Sequence, residues 1–151
     1  MARAEHSVVV ERPAEEVFAY LSDPEKLPEW QASALEARQE SPGVMSAGTR
    51  IREVRKFLGK RMETVVEVTA YEPGKQFSLK VVSGPIPFQV WQNLHPVEGG
   101  TKIDVVIEGE PGGFFRLAEP LVVRAVAREL ANNLATLKDV LESTTRQNAG
   151  A

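Results

Sequence analysis

Hydrophobic and polar residues change their spacing about two thirds of the way along this 151-residue chain. Over residues 43–110, apolar residues alternate with polar ones in short runs that glycine and proline separate, as in a series of β-strands. Over residues 114–144 they recur every three or four positions, the spacing of one long helix. Residues 7–11 form a short β-branched run, and residues 13–21 resemble a helix. This order predicts an antiparallel sheet curved around the terminal helix, with an apolar cavity between them.

Turn and cap signals divide the rest of the chain. Pro13 suits the first turn of a helix in which Val17, Phe18 and Leu21 supply an apolar side. Asp23 is predicted to be the N-cap of a second short helix that ends at Leu27. Six further strands are predicted between turns rich in glycine and proline, over residues 35–38, 49–57, 62–71, 77–81, 88–94 and 101–108. The predicted order is therefore strand, two short helices, six strands and a long helix.

The terminal helix carries one apolar stripe at helical spacing. Its predicted members are Val123, Ala127, Leu130, Leu134, Leu137 and Leu141, with Val126 beside them. Asn133 lies at the margin of this stripe, where we expect a solvated edge rather than a view into the cavity. Because Pro120 lies near the start of the helix, residues 114–119 are expected to form a separate turn or a kinked first turn. Within this segment, Phe114 and Phe115 either cover the mouth of the cavity or pack against the start of the helix.

Composition narrows the function classes. The formal charge of −3 and the pI near 5.5 argue against a nucleic-acid partner. The chain has no cysteine and two histidines, so neither a disulfide nor a metal site is expected, and no cofactor is predicted. No apolar run approaches the ~20 residues of a membrane span, so membrane insertion is not expected. We expect a cytoplasmic protein with a single domain over residues 1–146 and a flexible tail over residues 147–151.

Four phrases of the chain resemble one known superfamily. They are residues 13–18 (PAEEVF), 23–30 (DPEKLPEW), 68–75 (VTAYEPGK) and 94–101 (LHPVEGGT). In their residues and in their order along the chain, these segments resemble the sequences of the START-like superfamily. This superfamily includes the polyketide cyclases and dehydrases and is also known as SRPBCC. The matches span nearly the whole chain.

The resemblance implies an α+β helix-grip fold, in which a curved seven-stranded antiparallel sheet grips the long C-terminal helix. Members of the superfamily bind lipids, sterols, hormones or polyketides, and some catalyse cyclisation or dehydration. A fold shared by binding proteins and enzymes does not decide between the two functions.

The strand over residues 49–57 holds the most informative candidates. If Thr49, Ile51 and Phe57 face inward, alternation turns Glu53 and Arg55 inward as well. A carboxylate and a guanidinium in an apolar cavity must pair or be solvated, because burying either one alone is costly. As a pair they could orient a phenol, enol or carboxylate of a ligand. The alternative is that this strand lies near an open edge with its charges in water.

Two further polar residues are candidates for the cavity. Gln92 shares a face with Phe88, Val90 and Leu94, and could bind a ligand or hold a water molecule. Trp91 then lies on the convex face, although a register shift of one residue would exchange the two. Thr64 has a similar place on its own strand. Trp30 either stacks against a ligand or fills the core.

Three functions stay open at this stage. The first is a binding protein for a lipid-like or aromatic small molecule, with contacts from Trp30, Ile51, Glu53, Arg55, Thr64, Val66, Phe77, Leu79, Phe88, Val90, Gln92, Val105, Leu130 and Leu134. The second is a cyclase or dehydrase in which Arg55 stabilises an enolate and Glu53 moves a proton. The third is an interaction module that uses the convex face around Trp91, with a protein partner or a second copy.

Overall fold

The computed structural model describes residues 2–57, 59–109 and 119–150. Within these ranges the chain forms seven strands, three α-helices and one 3-10 helix. In chain order they are β1 (Ala2–Val10), α1 (Ala14–Leu21), the 3-10 helix (Pro24–Lys26), α2 (Leu27–Trp30), β2 (Ala34–Gln39), β3 (Arg50–Phe57), β4 (Lys60–Glu72), β5 (Gln76–Ser83), β6 (Phe88–Val97), β7 (Gly100–Gly109) and α3 (Glu119–Gly150).

The seven strands form one curled antiparallel sheet with the order β1-β7-β6-β5-β4-β3-β2. The predicted α+β fold is confirmed, including the short helices after the first strand and the long helix at the end. Irregular pairing in β2, between Ala34 and Glu36, and in β4, between Val68 and Ala70, interrupts the ladder. Such bulges bend a strand and increase its twist, which helps the sheet to curl.

The first strand is longer than predicted, because it starts at Ala2 rather than at residue 7. It lies at the edge of the sheet and pairs with β7 along its whole length. The side chains of Arg3 and Glu5 are exposed, and Arg3 pairs with Glu108 on β7. Residues 2–6 contain no β-branched residue, so the sequence pattern did not predict this part of the strand. Backbone pairing with β7 shows that it belongs to β1.

The predicted second short helix is a 3-10 turn followed directly by α2. The Asp23 side chain accepts a hydrogen bond from the Glu25 backbone N–H, so the predicted cap is confirmed. In α1, the buried residues are the predicted Val17, Phe18 and Leu21. Together these short helices link β1 to β2, the two edges of the sheet.

The core lies between the concave face of the sheet and α3. Leu134 and Leu137 of the helix are fully buried, as is Ile103 of β7. The predicted stripe is wrong at Ala127, which is exposed, while Val122 is buried. At this end of the helix, Val122, Val126 and Leu130 face the core. The first two each lie one residue before the predicted Val123 and Ala127.

Two predictions concern the ends of α3. Its predicted start at residue 114, with the suggested flap of Phe114 and Phe115, lies outside the described residues. The helix itself extends to Gly150, and the predicted boundary between domain and tail at residue 146 stays a prediction. Within the described ranges, no helix combines the length and the apolar character that crossing a membrane requires.

Candidate functional site

A cavity of about 200 Å³ lies between the sheet and α3. Its wall includes thirteen of the predicted ligand contacts: Trp30, Glu53, Arg55, Thr64, Val66, Phe77, Leu79, Phe88, Val90, Gln92, Val105, Leu130 and Leu134. The fourteenth, Ile51, is buried in the core and does not line the cavity. Alternation assigned Ile51 to the correct face, but not to the stretch of β3 that borders the open space.

Glu53 and Arg55 form an ion pair on the inner face of β3. Arg55 Nε donates to Glu53 Oε1 over 2.7 Å, and the side chains of Arg55 and Glu53 are only 17% and 4% exposed, respectively. The alternative that these charges lie in water at an open edge is therefore wrong. The strand is paired on both sides, with β2 and β4, so it does not lie at an edge of the sheet.

The segment between α2 and β2 holds the other nitrogens of Arg55. Nη1 donates to Ser33 Oγ over 3.0 Å, and Nη2 donates to Gln31 Oε1 over 2.7 Å. Both partners line the cavity, and neither was predicted. A short connection has no periodicity from which the direction of its side chains could be inferred. These bonds fix the orientation of the guanidinium group.

The structure decides the register that the sequence left open on β6. Gln92 is 5% exposed and lines the cavity, where its Nε2 donates to the Phe77 backbone carbonyl over 3.2 Å. Trp91 is partly buried on the other face of the strand, as expected for this register. One donor of the Gln92 amide is thus used within the sheet. Thr64 also lines the cavity and is buried.

On α3, Asn133 and Glu129 add two polar groups to the cavity wall. Asn133 is 8% exposed, and its Oδ1 accepts a hydrogen bond from the Ala32 backbone N–H over 3.0 Å. The expectation of a solvated edge for Asn133 is therefore wrong, because the helix packs against the connection before β2. Glu129 precedes Asn133 by one turn and is partly buried. Sequence reasoning missed Glu129, since a single acidic residue on an amphipathic helix gives no signal of its own.

Trp30 forms part of the wall and is 4% exposed. Within the described residues its indole N–H has no hydrogen-bond acceptor. A buried N–H without a partner costs about 1–3 kcal/mol. An oxygen atom brought close to this group would therefore be stabilised.

The chemical character of the site follows from this geometry. Most of the wall is apolar, while the polar groups Gln31, Ser33, Glu53, Arg55 and Asn133 are connected through the segment before β2. Such a cavity suits an apolar molecule that carries a polar group. In the described part of the chain, no three histidine or acidic side chains converge as a metal site would require.

The chain matches one family model over residues 1–142, that of the polyketide cyclase/dehydrase and lipid transport family. A search of curated proteins finds no match.

Solved structures share the fold at low sequence identity. A START superfamily protein from Mycobacterium smegmatis superposes with a TM-score of 0.81 at 16% identity, over 94% of this chain and 98% of the other. A Thermus thermophilus protein gives 0.81 at 17% identity, with the same coverage of 94% and 98%. The ZhuI aromatase/cyclase from Streptomyces sp. R1128 gives 0.77 at 14% identity, over 93% of each chain. At these identities the likeness concerns the fold alone.

Proposed function

We propose that this chain, which belongs to the polyketide cyclase/dehydrase and lipid transport family, binds a hydrophobic small molecule. The ligand would lie in the cavity between the sheet and α3. The observation that carries this proposal is a largely apolar cavity with a buried ion pair on its wall. Burying a charged pair is costly, so a core that served stability alone would gain little from a guanidinium group held by three hydrogen bonds.

The size of the cavity limits the ligand. An apolar cavity of about 150 Å³ accommodates benzene in a well-studied engineered protein. The cavity of about 200 Å³ is therefore suited to one or two fused rings or a short chain. Phe77, Leu79 and Val90 supply apolar contact from the sheet, and Leu134 supplies it from the helix.

The Glu53–Arg55 pair would orient the ligand. Three Arg55 nitrogens already donate to protein acceptors, so the guanidinium is held in place before a ligand arrives. Preorganisation of this kind lowers the entropic cost of binding. Gln92 is the second candidate for a polar contact, from the opposite part of the sheet.

An enzyme of the cyclase or dehydrase kind is the second candidate, and the same ion pair favours it. In that case Arg55 would stabilise the negative charge of an enolate while Glu53 moved a proton. The variant Glu53→Gln separates the two functions, since an enzyme should lose turnover with this change while ligand binding persists. A protein partner or a homodimer through the face around Trp91 stays a prediction, as does a cytoplasmic location.

Native mass spectrometry of the purified protein, followed by organic extraction, tests the binding proposal. We expect a fraction of the protein to carry an added mass that extraction releases as an apolar compound. The variant Val90→Phe fills part of the cavity and should lose this mass, while Val82→Phe, at an exposed position of β5, should keep it. Equal retention by both variants would place the bound compound elsewhere and overturn the proposal.

A further inference from the structure

We infer that Glu129 makes the cavity select against ligands that carry a carboxylate and in favour of ligands that carry a hydroxyl group. The inference rests on the proposed binding function and names the class of ligand that the site accepts. Its basis is the charge balance of the cavity wall.

Among the residues that the structure describes, four charged ones line the cavity: Arg3, Glu53, Arg55 and Glu129. Arg3 lies at the exposed start of β1 and pairs with Glu5 and Glu108 over 3.0 and 2.8 Å. Arg55 pairs with Glu53. Both arginines therefore already have carboxylate partners from the protein itself.

Glu129 differs from the other three, because it has no ion-pair partner within the described parts of the chain. Side chains three or four positions apart are neighbours on a helix. Around Glu129 these positions hold Ala125, Val126, Asn132 and Asn133, none of which is a cation. The helix therefore supplies nothing to neutralise this carboxylate.

The helix brings Glu129 close to the polar end of the cavity. Asn133 lies four residues further on, about 6 Å along the helix axis. Its side chain binds the backbone of Ala32, between the two residues, Gln31 and Ser33, that hold Arg55. This end of the wall thus carries one positive and two negative side chains. Partly buried charges such as Glu129 are screened less by salt than charges at the open surface.

Ligand chemistry responds to this imbalance in opposite ways. A ligand carboxylate offers only acceptors and a negative charge, so it would be repelled by Glu129, while the positive charge of Arg55 is already paired with Glu53. A hydroxyl group is both a donor and an acceptor. It can donate to the Glu129 carboxylate, which an ionised ligand carboxylate cannot do, whereas either group could accept from the Trp30 N–H, which has no acceptor within the described residues.

Two probes that share a ring system test the inference: 2-naphthol, neutral at pH 7, and 2-naphthoate, which is anionic at that pH. We expect isothermal titration calorimetry of the wild-type protein to show 2-naphthol binding at least about tenfold more tightly, as charge repulsion in a poorly screened site implies. Equal or tighter binding of 2-naphthoate would overturn the inference and leave the binding function intact. If neither probe binds, the proposed function fails for ligands of this size, and the inference fails with it.

The variant Glu129→Gln identifies the residue responsible. It removes the charge with little change in shape, so we expect 2-naphthoate to gain about tenfold in affinity and 2-naphthol to change little. Asp139→Asn removes one negative charge from an exposed position of the same helix and should leave the preference unchanged. A preference unaltered by Glu129→Gln would show that Glu129 does not set it.

Discussion

Arg55 donates from Nε to Glu53 Oε1 over 2.7 Å, between two residues that share the inner face of one strand. The pair lies in a mostly apolar wall, where Nη1 and Nη2 of the guanidinium each donate one hydrogen bond, to Ser33 and Gln31 respectively. Removing one member of a buried pair leaves the other charge without compensation, whereas removing both does not. The pair therefore contributes to stability in a way that single and double variants can separate.

Arg55→Met should be strongly destabilising, because it leaves the Glu53 carboxylate buried and unpaired. We expect the free energy of unfolding to fall by about 3 kcal/mol, at the lower end of the range for a broken buried pair, since Arg55 retains some exposure. Urea unfolding measures the change. The double variant Glu53→Gln/Arg55→Met should recover part of this loss. A double variant at least as unstable as Arg55→Met would contradict the importance of the unpaired charge.

Asn133→Leu should destabilise the packing of α3 against the segment before β2. The substitution removes the acceptor of the partly buried hydrogen bond from the Ala32 N–H, and a typical bond of this kind contributes about 0.5–1.5 kcal/mol. Asn132→Leu is the matched control, since the neighbouring Asn132 is exposed and should change stability by no more than about 0.5 kcal/mol. Thermal or urea unfolding compares the two, and equal effects would exclude a specific role for Asn133.

Asp104 on β7 should make stability depend on pH in the acid range. The hydrogen bond that Ser7 donates, followed by the charges of Lys102 and His95, holds the pKa of Asp104 below its ordinary value. Because the pKa is lower in the folded chain than in the unfolded one, the stabilisation is present above the unfolded pKa, near 4. It is lost as the pH falls through the folded value.

Asp104→Asn tests this dependence by removing the titrating group. We expect the variant to be less stable than the wild type at pH 6, with a difference that shrinks by pH 2.5. Urea unfolding at both pH values gives the comparison. A difference that is the same at the two pH values would show that Asp104 contributes through packing rather than through its charge.

The sequence predicted the fold well because turns and alternation are local signals. The DP pair after α1 and the alternating Met62, Thr64, Val66 and Val68 of β4 define elements without knowledge of tertiary contacts. Inward-facing residues of β3 and β6 followed from the same alternation. Ligand contact by these residues stays a prediction.

The parts of the site that escaped prediction depend on packing between distant segments. Gln31 and Ser33 lie in the connection between α2 and β2. The direction of their side chains depends on hydrogen bonds with Arg55 of β3. Asn133 is buried because the segment around Ala32 comes against α3, 101 positions away in sequence. Helical spacing alone placed Ala127 in the core, since a stripe defines a face only to within about one position.

Calorimetric titration of 2-naphthol into the wild-type protein and the Val90→Phe variant tests ligand binding in the cavity most directly. Val90 lines the cavity, so a phenylalanine at this position would occupy space that the ligand needs. We expect one binding site in the wild type and at least about tenfold weaker binding in the variant, which is the effect of losing about 1.4 kcal/mol. Val82→Phe should bind as the wild type does. Equal affinity for the wild type and Val90→Phe, with the variant still folded, would show that the cavity is not where the ligand binds.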